Sequence, residues 1–551
     1  MFLKKYPELF SLVFIFLFLL LQFSCLSRQE KGKKIFHYNE SSGIASLDPA
    51  FAKNQSIMWA VHQLYSTLVE VDEHLEIKPL LAKEWIFSTD KRSITFNLRT
   101  DVYFQDDAAF ANGKGRRVTA QDVTYSFKRI MDKNTASPGA WIFNNRVDSL
   151  QPFTAIDDST FQLKLLKPFH PVIGILSMQY CSIVPVEAVE KYGTDFRRHP
   201  VGSGPFSFVA WEEGQALVLK KNQQYFEKDS SGYALPYIDG IKISFYDSKA
   251  TEFLEFRQKR LDFINDIDPS FKDEVLTKTG NLKKEWTGKL RLHKHPYLNI
   301  EYFGILYDSN NVLLKNSPLK FTAIRQAINY GINRKKMMLY LRNSIGTAAE
   351  SGFVPQGLPS FDAKEVKGYS YDAAKAKQLL AEAGYTNENE MPVIKLLTVP
   401  IYANLASYVA NELKQIGINV QVETIQKSLL LEQTSKGQAL FFRGSWIADY
   451  PDAENYLGVF YSKNPAPPNY TRYKNKFFDA LYEQALQEVN DTNRYKLYRQ
   501  MDKLIVQDAP VVPLWYDMAI HLVHNNIENF YPNSLNMLEL RRVRKRGVKS
   551  E

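Results

Sequence analysis

Residues 404–425, NLASYVANELKQIGINVQVETI, read as a helix that stops at Gly417 and runs on into a strand. A helix feeding a strand through a glycine stop is an α/β unit, and it sets the fold class. Upstream, FTAIRQAINYGINRKKMM (321–338) is helical with a break near Gly331, and SYDAAKAKQLLAEAGY (370–385) is a helix with Asp372 at its start and Gly384 at its end. Near the N-terminus, SITFNLRTDVYF (93–104) alternates through Ile94, Phe96 and Leu98, the pattern of a half-buried strand. TAQDVTYSFKRIM (119–131) is a helix opened by Thr119 with Asp122 three residues on, a capping box. No repeat, long linker or low-complexity run interrupts this alternation, which predicts mixed α/β architecture in more than one lobe.

The 551 residues suffice for two or three domains, and 45% apolar with 23% charged content is ordinary for a globular chain. The start, MFLKKYPELFSLVFIFLFLLLQFSC, has a short basic region and a 13-residue apolar run, Leu9 to Leu21, below the length of about 20 that spans a bilayer. Residues 1–24 therefore read as a secretory signal. Ser24-Cys25 resembles a bacterial lipoprotein processing site at which Cys25 is lipidated, although Gln22 and Phe23 depart from the usual pattern; an ordinary cleaved signal or an uncleaved anchor is the alternative. The only other cysteine, Cys181, reads as a small buried hydrophobe. The net charge of +9 is concentrated at the ends, +1 in residues 1–24 and +5 in the C-terminal RRVRKRGVKSE (541–551), leaving about +3 on the body, which argues against nucleic-acid binding. That tail reads as a frayed, solvated end, with contact to anionic headgroups as the alternative.

Catalytic signatures are missing: there is no G-x-x-x-x-G-K-[ST], G-x-S-x-G, H-E-x-x-H or C-x-x-C. His293 and His295 share one face of a strand, and His521 and His524 lie three apart, but two ligands are too few for a metal. The stretch RGSWIADYPDAENYL (443–457) follows an apolar run, ALFFR, that reads as a buried strand. It places Arg443 and Trp446 beside three carboxylates, Asp449, Asp452 and Glu454. By residue type alone these carboxylates suit an acid/base pair, a metal site or a clamp for a cationic ligand. A turn cap remains open for Asp449, plain core for Trp446 and an internal ion pair for Arg443, while Asp452 and Glu454 suit a helix start.

Several blocks occur in one order: SLDPAFAKNQSIMWAVHQLYSTLVEVD (46–72), PLLAKEWIFSTDKRSITFNLRTDVYFQDD (79–107), VTAQDVTYSFKRIM, HPVGSGPF, IRQAINYGINRKKM, YDAAKAKQLLAEAGY and GSWIADYPDAENYL. In that order, over about residues 35–520, the chain resembles the bacterial extracellular solute-binding proteins of family 5, the oligopeptide- and dipeptide-binding lipoproteins of ABC importers. A longer loop in DDAAFANGKGRRVTAQDV (106–123) departs from most members. The resemblance implies an α/β, two-lobed periplasmic-binding-protein fold of type II, cluster C-like, with a hinge and an additional third domain. Implied boundaries are a signal peptide over 1–24 and a tether over 25–34. Lobe I would comprise 33–56, 196–290 and 515–551, the extra domain 57–195, and lobe II 291–514.

The same resemblance implies function. A receptor for varied peptides needs main-chain pairing for affinity and fixed counter-charges for the ligand's ends. Asp449 would take the ligand's α-ammonium, the backbone of Gly444, Ser445 and Trp446 one edge of the peptide, and Gly43, Ile44 and Ala45 the other. Trp446 would be a wall for side chains and Arg443 a counter-charge for a carboxylate. The implied protein is an exported, lipid-anchored monomer, periplasmic or on the outer face of the membrane. It would hand peptides to permease subunits and use no cofactor, metal or catalytic residue. The alternatives are other cargo on the same fold (a metal chelate, an oligosaccharide, a signalling peptide) and a glycoside hydrolase using Asp449 with Asp452 or Glu454.

Overall fold

The computed structural model describes residues 32–547 apart from 268 and 386–390. The signal segment, Cys25 and most of the tether lie outside the described residues, as do the last four residues of the tail.

The α/β unit forms as read. The helix Ala403–Lys414 is followed by Gly417 at φ 95° and the strand Val420–Thr424, which pairs in parallel with Ile394–Thr398. Only a residue without a Cβ adopts that φ cheaply, so Gly417 ends the helix. The break near Gly331 separates the helices Thr322–Tyr330 and Arg334–Arg342. Asp372 caps Ala373–Glu382 by accepting from the Lys375 N–H at 2.8 Å. Thr119 and Asp122 form the capping box of Ala120–Met131. The strand of 93–104 ends earlier than the alternation suggests, at Leu98.

Three sheets organise these elements. One is four-stranded, in the order 35–39, 240–244, 216–221, 206–212, with only the first pair parallel. A second, antiparallel, runs 82–87, 93–98, 160–164, 153–155. Helix Ala120–Met131 covers it, with Phe127 against the rings of Phe153 and Phe161. These two sheets share one continuous hydrophobic core, from Phe36 through Phe161 to Val543. The third sheet has seven strands and carries separate cores on its two faces, one around Phe303, Phe441 and Leu514, the other around Ile300, Tyr302 and Tyr516. Alternation of side chains across the pleat assigns neighbouring residues of one strand to opposite cores.

Two long antiparallel strands, Leu290–Ile305 and Val511–His524, tie the two lobes together. Their Leu290–Pro296 and Met518–His524 halves pair beside a small core around Phe253 and Phe256, and the remainder lies within the large cores of the third sheet. The ladder shifts register between Pro296 and Ile300. Pro296 has no N–H to give, so the sheet is weakest where the strands leave one core for the other. The protein is thus a two-lobed α/β molecule with a two-stranded connection.

The tail overturns one expectation. Its described part is not frayed: Arg544–Lys545 pairs as a strand with Ile527–Glu528, and Arg541 is buried. The cause is charge matching. Arg541 meets Glu227 at 2.6 Å, Lys545 meets Asp262 at 2.7 Å, and Arg542 meets Glu227 at 3.4 Å.

Candidate functional site

Phe441–Ile447 is antiparallel to the long strand, from Phe441 opposite Ile305 to Ile447 opposite Asn299. On its other side Ile394–Thr398 reaches only Phe441 and Phe442. Among the described residues no strand pairs with the far edge of Arg443–Ile447. An unpaired edge presents N–H and C=O groups ready to take an extended chain. Gly444 sits where a Cβ would come within 2.6 Å of the Tyr302 ring, so it brings strand and ring together.

Just past this edge the chain turns, and the turn is pinned. Asp452 accepts from the Glu454 N–H at 2.8 Å, opening the short helix Glu454–Leu457, and the Tyr456 hydroxyl donates to the Leu298 carbonyl at 2.6 Å. The Trp446 indole N–H donates to Asn455 Oδ1 at 2.9 Å. Asn455 in turn makes two long contacts of 3.4 Å, to the Asp449 N–H and to its carboxylate. Trp446 therefore aims Asp449 through Asn455; its ring packs on the lobe's core and does not line the cavity.

Asp449 opens into a cavity of about 670 Å³ between the lobes. Residues 52–55, 70–73 and 177–180 wall one side, Tyr297 and 447–449 the other, and segments within 529–542 close it. The carboxylate touches the water of the cleft yet is surrounded by protein mass. Burial raises its pKa, opposed by the Asn455 hydrogen bond and the positive charge of Arg146. It has no ion-pair partner among the described residues.

The neighbouring charges are spent. Arg443 is not on the cavity wall: it grips Glu301 at 2.5 and 2.7 Å and lies over the Tyr402 ring at 4.0 Å. Of the two roles left open for it, the structure shows the internal ion pair, because Glu301 stands in the adjacent strand opposite Ser445. Asp452 is ion-paired with Arg494 at 3.3 Å, and Glu454 is buried between the hydroxyls of Tyr450 and Tyr482. The stretch thus has one open carboxylate, not two facing each other across a cleft.

Gly43, Ile44 and Ala45 do not line this cavity. They form no strand; Ile44 is part of the first lobe's core and the Ala45 carbonyl accepts from Arg197 at 3.3 Å. The cavity is reached further along, at 52–55. Sequence reasoning missed Lys53, Trp141, Tyr180 and Asn455; only Asn455 carried a local signal, being inside the quoted stretch.

His293 and His521 sit opposite each other on the connecting strands, and the His295 and His521 rings are 5.0 Å apart. Burial lowers all three pKa values, that of His295 to about 4. Among the described residues no group of three or more His, Cys, Asp or Glu could hold a metal.

A family described as Bacterial extracellular solute-binding proteins, family 5 Middle, matches residues 76–468. Heme-binding protein A of Haemophilus influenzae is 28% identical over 476 residues, 83% of this chain and 82% of that protein. The periplasmic oligopeptide-binding protein OppA of Salmonella typhimurium is 27% identical over 516 residues, 90% of this chain and 89% of its own. The solved structure of HbpA2 from Haemophilus parasuis shares the fold, with a TM-score of 0.80 at 23% identity over 93% of this chain and 99% of that one.

Proposed function

The chain belongs to the bacterial extracellular solute-binding proteins, family 5, and on that premise we propose that it is a lipid-anchored receptor that closes two lobes over a peptide and delivers it to an ABC-type permease. One observation carries this reading: among the described residues, Asp449 is a carboxylate without an ion-pair partner, and it stands in the interlobe cavity at the end of an unpaired strand edge. An extended peptide laid on Arg443–Ile447 would gain main-chain hydrogen bonds whatever its sequence. Its α-ammonium would then meet Asp449, whose pKa is raised by burial, so that an incoming cation would relieve the cost of its charge. Side chains would project into a cavity with Met58, Met178 and Tyr531 on its wall, flexible and amphipathic groups that adapt to many shapes. The two connecting strands, irregular at Pro296–Ile300, are the proposed hinge, between a first lobe of 33–56, 196–290 and 515–551 (with an extra domain of 57–195) and a second lobe of 291–514.

Native mass spectrometry of protein purified without denaturation tests the ligand class, followed by sequencing of whatever is released. Peptides of mixed sequence with free amino ends are expected. A porphyrin or other metal chelate, or a glycan, with no peptide would refute the reading; the name of the Haemophilus influenzae relative makes the porphyrin worth scoring. Mass analysis of the mature N-terminus tests the anchor, with a diacylated or triacylated Cys25 expected.

A further inference from the structure

The walls of the cavity carry charges of both signs, and most are already matched. Arg541 is held by Glu70, Glu227 and Glu539, Arg542 by Glu227, and Lys78 by Asp72 and Glu76. Three charged side chains on the wall have no ionic partner among the described residues: Asp449, Glu73 and Lys53. Lys53 is the one unmatched cation. It lies on the short link between the turn Pro49–Phe51 and the helix Gln55–Leu64. Both ends of that link are fixed. Asp48 caps the turn and is ion-paired with Arg129 at 2.6 Å, and Asn54 caps the helix by accepting from the Ile57 N–H at 3.1 Å.

The two opposite charges belong to different lobes. Ala52, beside Lys53, is part of the core that contains Phe36 and Phe161. Ala448, beside Asp449, is part of a core of the seven-stranded sheet. A ligand holding an ammonium at one end and a carboxylate at the other can therefore neutralise one charge on each lobe. Such a ligand interacts fully only when the lobes are drawn together, which is the differential affinity that closure requires.

We propose that Lys53 is the counter-cation for the ligand's terminal carboxylate, so that the cargo is a short peptide with both ends free, laid across the cleft from Asp449 to Lys53. This rests on the peptide-receptor reading and assigns its second pole, on the lobe opposite Asp449. Arg443, the cation the sequence offers near Asp449, is excluded by its pairing with Glu301.

The test compares ligand ends. Trialanine, tetra-alanine and penta-alanine are titrated calorimetrically as free acids and as C-terminal amides, against the wild type and Lys53→Met. The wild type is expected to favour the acid of its preferred length on the order of tenfold to a hundredfold, the range of a charge-assisted hydrogen bond. Lys53→Met is expected to bind acid and amide alike, at the wild-type affinity for the amide. Its melting temperature stays that of the wild type, because the Lys53 side chain has no partner to lose. An acid preference that survives Lys53→Met, or a wild type indifferent to amidation, overturns the assignment of Lys53 while leaving the peptide receptor standing. Failure of every peptide, acid or amide, to bind the wild type overturns both.

Discussion

Asp449→Asn separates binding from stability. The substitution keeps shape and one acceptor oxygen but removes the charge. In the unliganded protein that charge is met by one 3.4 Å contact from the Asn455 amide, at the weak end of hydrogen-bond geometry, and by the more distant positive charge of Arg146. The carboxylate is disfavoured by its surroundings, so its loss leaves the melting temperature unchanged or slightly higher. In the closed complex the balance inverts. An ammonium about 4 Å from a carboxylate at an effective dielectric near 20 gains roughly 4 kcal/mol. Desolvation of the incoming ammonium takes back part, leaving about 3 kcal/mol, the lower end of what breaking a buried pair costs. That corresponds to about a hundredfold in Kd. Calorimetric titration with a free-ended tripeptide and its N-acetyl form measures it: the free form is expected to lose about a hundredfold, the acetylated form almost nothing. Because the pKa of Asp449 is raised, affinity for the free form is present above that pKa and lost as pH falls through it, earlier than for an ordinary carboxylate. A loss below about threefold, or an equal loss for the acetylated peptide, would refute the role of Asp449 as the ammonium clamp.

Trp446→Phe removes the indole N–H that holds Asn455 together with part of the ring; at least about 1 kcal/mol of stability and roughly tenfold of affinity are expected to go with it, read by thermal melts and by titration with the same peptides. Glu301→Gln strands the Arg443 guanidinium on the Tyr402 ring and is expected to destabilise by about 3 kcal/mol in denaturant melts while sparing discrimination between free and acetylated peptides. The buried histidines of the connecting strands give a pH dependence of known sign. Burial lowers their folded-state pKa values, so their contribution is full above the ordinary value near 6.5 and declines as pH falls toward 4, the unfolded chain binding protons first. Melting temperature is therefore expected to drop between pH 6.5 and 5 in the wild type and to drop less in His295→Gln; parallel curves would contradict this.

Much of the fold was legible locally. The box at Thr119 and Asp122, the cap at Asp372, the break at Gly331 and the stop at Gly417 each involve groups within about four residues of one another, and the structure keeps all of them. The tail was misread for the opposite reason. Six basic residues in eleven look solvated until Glu227, Asp229 and Asp262, about 300 residues upstream, are folded against Arg542, Arg544 and Lys545. The loops of the first lobe that border the cavity, at 52–55, 70–73 and 177–180, were hidden for a similar reason: no local pattern says which segments meet around it.

The stretch RGSWIADYPDAENYL divides the two kinds of knowledge. Sequence by itself determined that a strand runs into a tight, acid-rich turn, because alternation and turn chemistry are properties of adjacent residues. Which of its charges is free was decided only by the tertiary structure. Arg443 is occupied because Glu301, 142 residues earlier, lies in the neighbouring strand; Asp452 is occupied because Arg494, 42 residues later, reaches it. Asp449 alone is left facing water between the lobes. Electrostatic interaction depends on distance in space, and chain closure sets that distance without leaving a mark in the local pattern.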